Sequence, residues 1–244
     1  MGELIAVLSG KGGTGKTSVC AGVATALAEM GLRILCVDCD VGLRNLDISL
    51  GLSQESALSF LDVTEGAYTL DQATVHPLYP KLRFLTAPVN CQIERVNKAA
   101  FQRMLTQARM EYHYVFLDAP AGIDAGFQLA AQFADRVIMV TGPDPAAVRD
   151  ASRAGEVLEL MGKKNVRLIV NRINKKMLST VKMTVDDVMD TAGLPLLGVV
   201  PDDPNVVLAA AFSKPLLHQT NRGAGAACRR IAKRLQGQKI KIKL

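Results

Sequence analysis

Seven short apolar runs mark the chain: ELIAVL (3–8), RILCVD (33–38), LRFLTA (82–87), YVFLDA (114–119), RVIMVT (136–141), VRLIVN (166–171) and LLGVVP (196–201). None alternates apolar with polar residues, so each reads as a strand buried on both faces rather than on one. Between them the apolar spacing turns helical, at roughly 16–30, 94–110, 125–133, 144–161, 184–192, 203–212 and 223–236. Gly31, Gly162 and Gly193 stand where three of those helices should stop. Strands that alternate with helices imply an α/β fold, a mostly parallel twisted sheet covered by helices on both faces. No Pro/Gly/Ser-rich linker, internal repeat or low-complexity block interrupts the pattern. The expected organisation is one domain over 1–236 and a short basic tail over 237–244.

Charge changes this picture only at the C-terminal end. The net charge is +6, but no Asp or Glu follows Asp203, whereas nine Lys or Arg do. Residues 1–203 carry 20 basic and 23 acidic side chains, a net of −3. A general nucleic-acid surface is therefore not expected, and the basic tail is the part suited to an acidic surface. Five cysteines in a chain that opens on a strand, with no secretory leader, are expected to be reduced thiols in the cytoplasm. Cys36 and Cys39 have CxxC spacing, but three apart on a strand they point to opposite faces, which argues against a shared metal or redox role. No apolar run approaches the ~20 residues of a membrane span.

The chemistry concentrates directly after the first strand. GKGGTGKT, from Gly10 to Thr17, satisfies G-x-x-x-x-G-K-[ST], with a strand before it and a helix after it. In such a loop, backbone N–H groups of Gly12, Gly13, Thr14, Gly15 and the first helical turn at Lys16, Thr17 and Ser18 converge on phosphate oxygens, aided by the helix dipole. Lys16 would neutralise β/γ-phosphate charge and the Thr17 hydroxyl would ligate Mg²⁺. Acidic support for that metal is on offer at strand ends, from Asp38 and Asp40 in VDCD and from Asp118 in YVFLDAP. Ligands in open α/β sheets sit beyond the carboxyl ends of strands. An aspartate there can instead cap the next helix.

The loop's additional early lysine, Lys11 in KGGTGKT, resembles the deviant Walker A motif of the MinD/ParA group of ATPases. VDCDVGLRNLDISLG, DAPAGID and PDPAAVRDASR resemble the MinD branch of that group more narrowly, and the likeness runs from about residue 3 to residue 236. The resemblance implies an ATP-dependent homodimer in which Lys11 reaches the phosphates of the partner's ATP, as an arginine finger does. It implies that Asp40, in switch I, positions the attacking water, that Asp38 supports the Mg²⁺ shell, and that Asp118 is the Walker B carboxylate. Gly122 would lie in switch II, with backbone able to follow the γ-phosphate. Asn171 would read adenine, and Pro201 and Asp202 would close over the base. Hydrolysis would be slow until a regulator stimulates it, and Arg44 and Asn45, beside switch I, are the expected regulator face.

The resemblance implies a switch that places septum machinery; flagellar placement, or ParA-like partitioning of DNA, are the alternatives. An iron–sulfur carrier of the same superfamily is not expected, since no cysteine follows Asp118 until Cys228. The tail departs from the MinD pattern. AGAACRRIAKRLQG reads as a closing helix with a packing stripe of Ala224, Ala227, Cys228, Ile231 and Leu235, and QKIKIKL after it alternates with period two. An interfacial helix is not expected there; weak contact with anionic lipid, peripheral on the inner face of the cell membrane, is.

Overall fold

The computed structural model describes residues 1–243 apart from Gly42, Asn90 and Val181, with only the backbone of Lys175 and Met177. Its strands are β1 (Glu3–Leu8), β2 (Ile34–Asp38), β3 (Thr74–Val75), β4 (Leu82–Leu85), β5 (Tyr114–Asp118), β6 (Arg136–Thr141), β7 (Val166–Ile173) and β8 (Leu196–Pro201). They form one sheet in the order β3-β4-β2-β5-β1-β6-β7-β8. Every pairing is parallel except that of β3 with β4.

The absence of polar alternation has its cause in this layering. Leu4, Ala6 and Leu8 enter one core while Ile5 and Val7 enter the other, because successive side chains of a strand leave opposite faces. The first core is closed by the helices Lys98–Glu111, Ala125–Phe133, Pro145–Leu160 and Val185–Ala192, through Phe101, Leu129, Leu158 and Val188. The second is closed by Lys16–Glu29 and Gly223–Leu235, through Val23, Leu27, Ile231 and Leu235. Cys36 lies in one core and Cys39 in the other, so the CxxC thiols are separated by the sheet itself.

Several boundaries differ from the expected ones. The helix expected over 94–110 begins at Lys98, because the Asn97 side chain caps it by accepting from the Ala100 N–H at 3.1 Å. The helix expected over 203–212 runs Asn205–Ala211. The short helices Leu46–Leu50, Phe60–Thr64, Lys175–Thr180 and Leu216–Gln219, and the two-residue β3, were not anticipated. None spans enough residues to express a period.

The stripe expected on the closing helix is buried, at Ala224, Ala227, Cys228, Ile231 and Leu235. Beyond it the described residues, to Lys243, have no regular structure, but they are attached to the domain at the β8 edge of the sheet. Arg234 donates from Nε to the Ile240 carbonyl at 2.8 Å and from Nη1 to the Leu197 carbonyl of β8 at 2.6 Å. Among the described residues no helix is long and apolar enough to cross a membrane.

Candidate nucleotide site

The strand order sets the site. β5 lies between β2 and β1, so Asp38 and Asp118 end adjacent strands in direct register, and Val7 of β1 is the partner of Asp118 on the other side. The Gly-rich loop leaves β1 at that edge and turns into the helix Lys16–Glu29, with Gly15 at its N-cap in the left-handed region (φ 82°).

Lys16 therefore points back over the strand ends. Its Nζ donates to Asp118 Oδ1 at 2.7 Å and to Thr17 Oγ1 at 3.1 Å, with 6% of the lysine and 1% of the aspartate side chain exposed. Burial pushes the ammonium pKa down, but the adjacent Asp118 carboxylate more than offsets it, and the net shift is upward. Lys16 stays charged. Burial raises Asp118, while Lys16 and a hydrogen bond from Thr17 draw it part of the way back.

Asp38 is fully buried. Its Oδ1 accepts the Asp40 N–H at 2.9 Å and its Oδ2 the Leu46 N–H at 3.2 Å. Burial, then the neighbouring Asp118 charge, push its pKa up to about 7. Asp40 is half-buried, and its pKa is raised by burial against the pull of Lys16. Two buried carboxylates at adjacent strand ends, one of them held by Lys16, form an acidic set of oxygens, and a hard oxygen-preferring cation is what such a set suits. Among the described residues no group of three or more His, Cys, Asp or Glu side chains is placed to hold a metal ion by itself. Magnesium keeps several waters and takes phosphate oxygens as well as protein carboxylates. The buried hydroxyls of Ser9 and Thr14, on the same loop, have no hydrogen-bond partner, and a polar ligand would supply one.

The remaining expected residues separate into two groups. Asn171, Pro201 and Asp202 line a single cavity of about 220 Å³ with Gly15 and Ser18 of the loop end. Arg172, Asp203, Val206 and Val207 share that cavity, and no motif marks them in the sequence. Arg172 is there because β7 is irregular in its pairing with β8 between Val170 and Ile173, and the arginine adopts φ 56°. Asp203 ties two segments of the wall together, accepting from Asn205 N–H at 2.9 Å and from Ala224 N–H at 2.9 Å.

Lys11, Gly122, Arg44 and Asn45 stand apart from this cavity. Lys11 Nζ is 3.5 Å from Asp144 Oδ1, both side chains about half exposed, on the outer rim of the loop. Gly12 and Gly13 are exposed beside it. Gly10 is there because a Cβ would meet the Asp150 carbonyl oxygen at 2.2 Å, in the helix packed against the loop. The Gly122 N–H donates to the Ser9 carbonyl at 3.0 Å, joining the segment after β5 to the loop. Arg44 (φ 47°) donates from Nε to Thr86 Oγ1 at 3.0 Å, and Asn45 is exposed.

Comparison with known proteins gives one consistent picture. A family model, the CobQ/CobB/MinD/ParA nucleotide binding domain, matches residues 5–216. The chain is 38% identical over 243 residues to a septum site-determining protein MinD of Synechocystis sp., covering 98% of this chain and 91% of that one. It is 37% identical to the Bacillus subtilis protein of the same name, covering 100% and 92%. Among solved structures, the MinC:MinD cell division complex of Aquifex aeolicus matches with a TM-score of 0.91 and 33% identity, over 99% of this chain and 98% of that one. MinD of Pyrococcus horikoshii complexed with Mg-ADP matches with a TM-score of 0.84 and 27% identity, over 96% of each.

Proposed function

The chain belongs to the MinD/ParA family of nucleotide-binding ATPases, and from that premise we propose a MinD-type switch that pairs with ATP and places septum machinery. The observation that carries the reading is the buried Lys16–Asp118 pair with Thr17, at the mouth of a Gly-rich loop and beside a base-sized cavity. Residues 1–236 act as the ATPase domain and 237–244 as its basic tail. Lys16 and the loop N–H groups from Gly10 to Ser18 hold the phosphates. Thr17, Asp38, Asp40 and Asp118 supply or orient oxygen ligands for Mg²⁺, which offsets charge that develops on the transferring phosphoryl group. Asn171, Pro201 and Asp202 border the adenine.

Asp40 has the geometry of a water-positioning group: it is half-buried, close to Lys16, and its backbone is fixed by Asp38. Lys11, on the rim and weakly held, is free to reach a second copy. Arg44 and Asn45 border the face on which a MinC-like partner or activator would dock. The tail gives weak contact with an anionic membrane surface. The test is Asp40→Ala. It should bind ATP, lose most hydrolysis and accumulate as a dimer on sizing chromatography; a monomer with ATP, or normal turnover, would remove Asp40 from its role.

A further inference from the structure

Asn171 sits on the wall of that cavity, yet its amide nitrogen already has a partner in the loop. It is buried near the end of β7, 6% exposed, and its Nδ2 donates to the Thr14 carbonyl of the phosphate loop at 2.8 Å. The orientation follows from chemistry: Thr14 O is an acceptor, so the amide must present its N–H and not its oxygen. The same Nδ2 lies 2.2 Å from the point where a Cβ on residue 15 would stand, and Gly15 has φ 82°. Glycine is thus required at 15 twice over, by conformation and by the approach of Asn171.

The peptide between Thr14 and Gly15 is planar and trans, so its C=O and N–H point in opposite directions. A clamp on the Thr14 oxygen aims the Gly15 N–H away from β7. Glycine at 15 would otherwise let that peptide turn over at little cost, and a turned peptide would present a carbonyl where an anion needs a donor. We infer that Asn171 is a positioning residue of the phosphate loop: by holding the Thr14 carbonyl through one side-chain hydrogen bond, it keeps the Gly15 N–H set for phosphate. This deepens the ATP-binding reading and rests on it. It also assigns Asn171 a duty that does not require a base.

The distinction is measurable with a ligand that has phosphates and no base. Affinities of wild type, Asn171→Ala and Asn171→Leu for Mg·ATP and for Mg·tripolyphosphate are compared by calorimetry, below the melting temperature of each protein. Leucine matches the shape of asparagine without a donor and serves if the alanine protein does not fold. Wild type is expected to bind tripolyphosphate, since its loop is already set. Both variants should lose affinity for both ligands by a similar factor, about tenfold, the equivalent of one hydrogen bond of ~1.4 kcal/mol. Loss for ATP alone would make Asn171 a base reader only and overturn the inference, as would no loss for either ligand. If neither variant folds, a wild type that binds ATP but ignores tripolyphosphate overturns it, and one that binds both supports it. A wild type that fails to bind ATP would instead remove the ATPase reading itself.

Discussion

Lys11 and Asp38 show two kinds of unsettled charge in this protein, one on the rim and one buried. The Lys11–Asp144 pair is 3.5 Å apart with both side chains about half exposed. Such pairs contribute roughly 0–1 kcal/mol, so Lys11 is easily exchanged onto a stronger anion. Lys11→Ala is expected to bind ATP with modest loss and to stay monomeric on sizing chromatography with Mg·ATP; normal pairing would dismiss the trans contact. Asp144→Asn retains an acceptor for the Ala147 N–H, which Asp144 now caps at 2.9 Å, and should pair at least as readily as wild type. Asp38 gives a pH signature. Its carboxyl pKa is pushed up to about 7 by burial and by Asp118, from an ordinary value of 3.8. The folded state therefore binds the extra proton between those values, and stability falls as pH rises through that window, by up to about 1.4 kcal/mol per pH unit. Asp118 and Asp40 are raised as well and act in the same direction. Nucleotide-free, magnesium-free protein should melt lower at pH 8 than at pH 5.5, and Asp38→Asn should flatten the profile. A melting temperature that climbs with pH would contradict the raised pKa of the buried Asp38 carboxyl.

The elements around the loop work as a frame. The helix Pro145–Leu160 packs so tightly on the loop that a Cβ at Gly10 would sit 2.2 Å from the Asp150 carbonyl oxygen, a backbone atom that cannot swing aside. Gly10→Ala must then push either the loop or the helix, at a cost on the order of 1–3 kcal/mol. Because Asp144, the partner of Lys11, caps the same helix, the displacement should reach both the phosphate loop and the rim. The expected outcome is a folded protein with a lowered melting temperature and at least tenfold weaker ATP binding in a fluorescent-nucleotide titration. Unchanged affinity would show that the loop tolerates a shift of the helix.

At the scale of the whole molecule the tail is the part most altered by the structure. Seven basic residues occupy 229–243, but three already have partners within the chain. Arg229 pairs with Glu29 at 2.8 Å, Arg234 holds the Ile240 and Leu197 carbonyls, and Arg230 donates to the Lys243 carbonyl at 3.4 Å. Lys233, Lys239, Lys241 and Lys243 remain exposed. At about 1 kcal/mol each near an anionic leaflet, four lysines give weak binding. Ile240 is half-buried and Ile242 exposed, while Leu244 lies outside the described residues, so little apolar insertion is available. Co-sedimentation with anionic vesicles should be weak, abolished by high salt, and stronger when ATP pairs two tails. Salt-resistant binding to neutral vesicles would show an inserted apolar element and refute the electrostatic account.

By itself the sequence determined the strands, because unbroken apolar runs mark burial on both faces, the long helices, because their burial recurs at a local period, and the loop from Gly10 to Thr17, because one contiguous motif carries its chemistry. Strand ends also marked Asp38, Asp40 and Asp118 as candidates. It could not decide which of them Lys16 would meet. That depended on strand order: β5 lies between β2 and β1, bringing Asp118 within 2.7 Å of Lys16 across 102 residues. The Asn171 clamp on Thr14 spans 157 residues, and the hold of Arg234 on Leu197 spans 37. Short elements such as Leu46–Leu50 and β3 were illegible for a different reason, having too few residues for a period and being fixed by what they pack against. Periodicity records how each segment meets the core; which segments become neighbours is a property of the folded sheet alone.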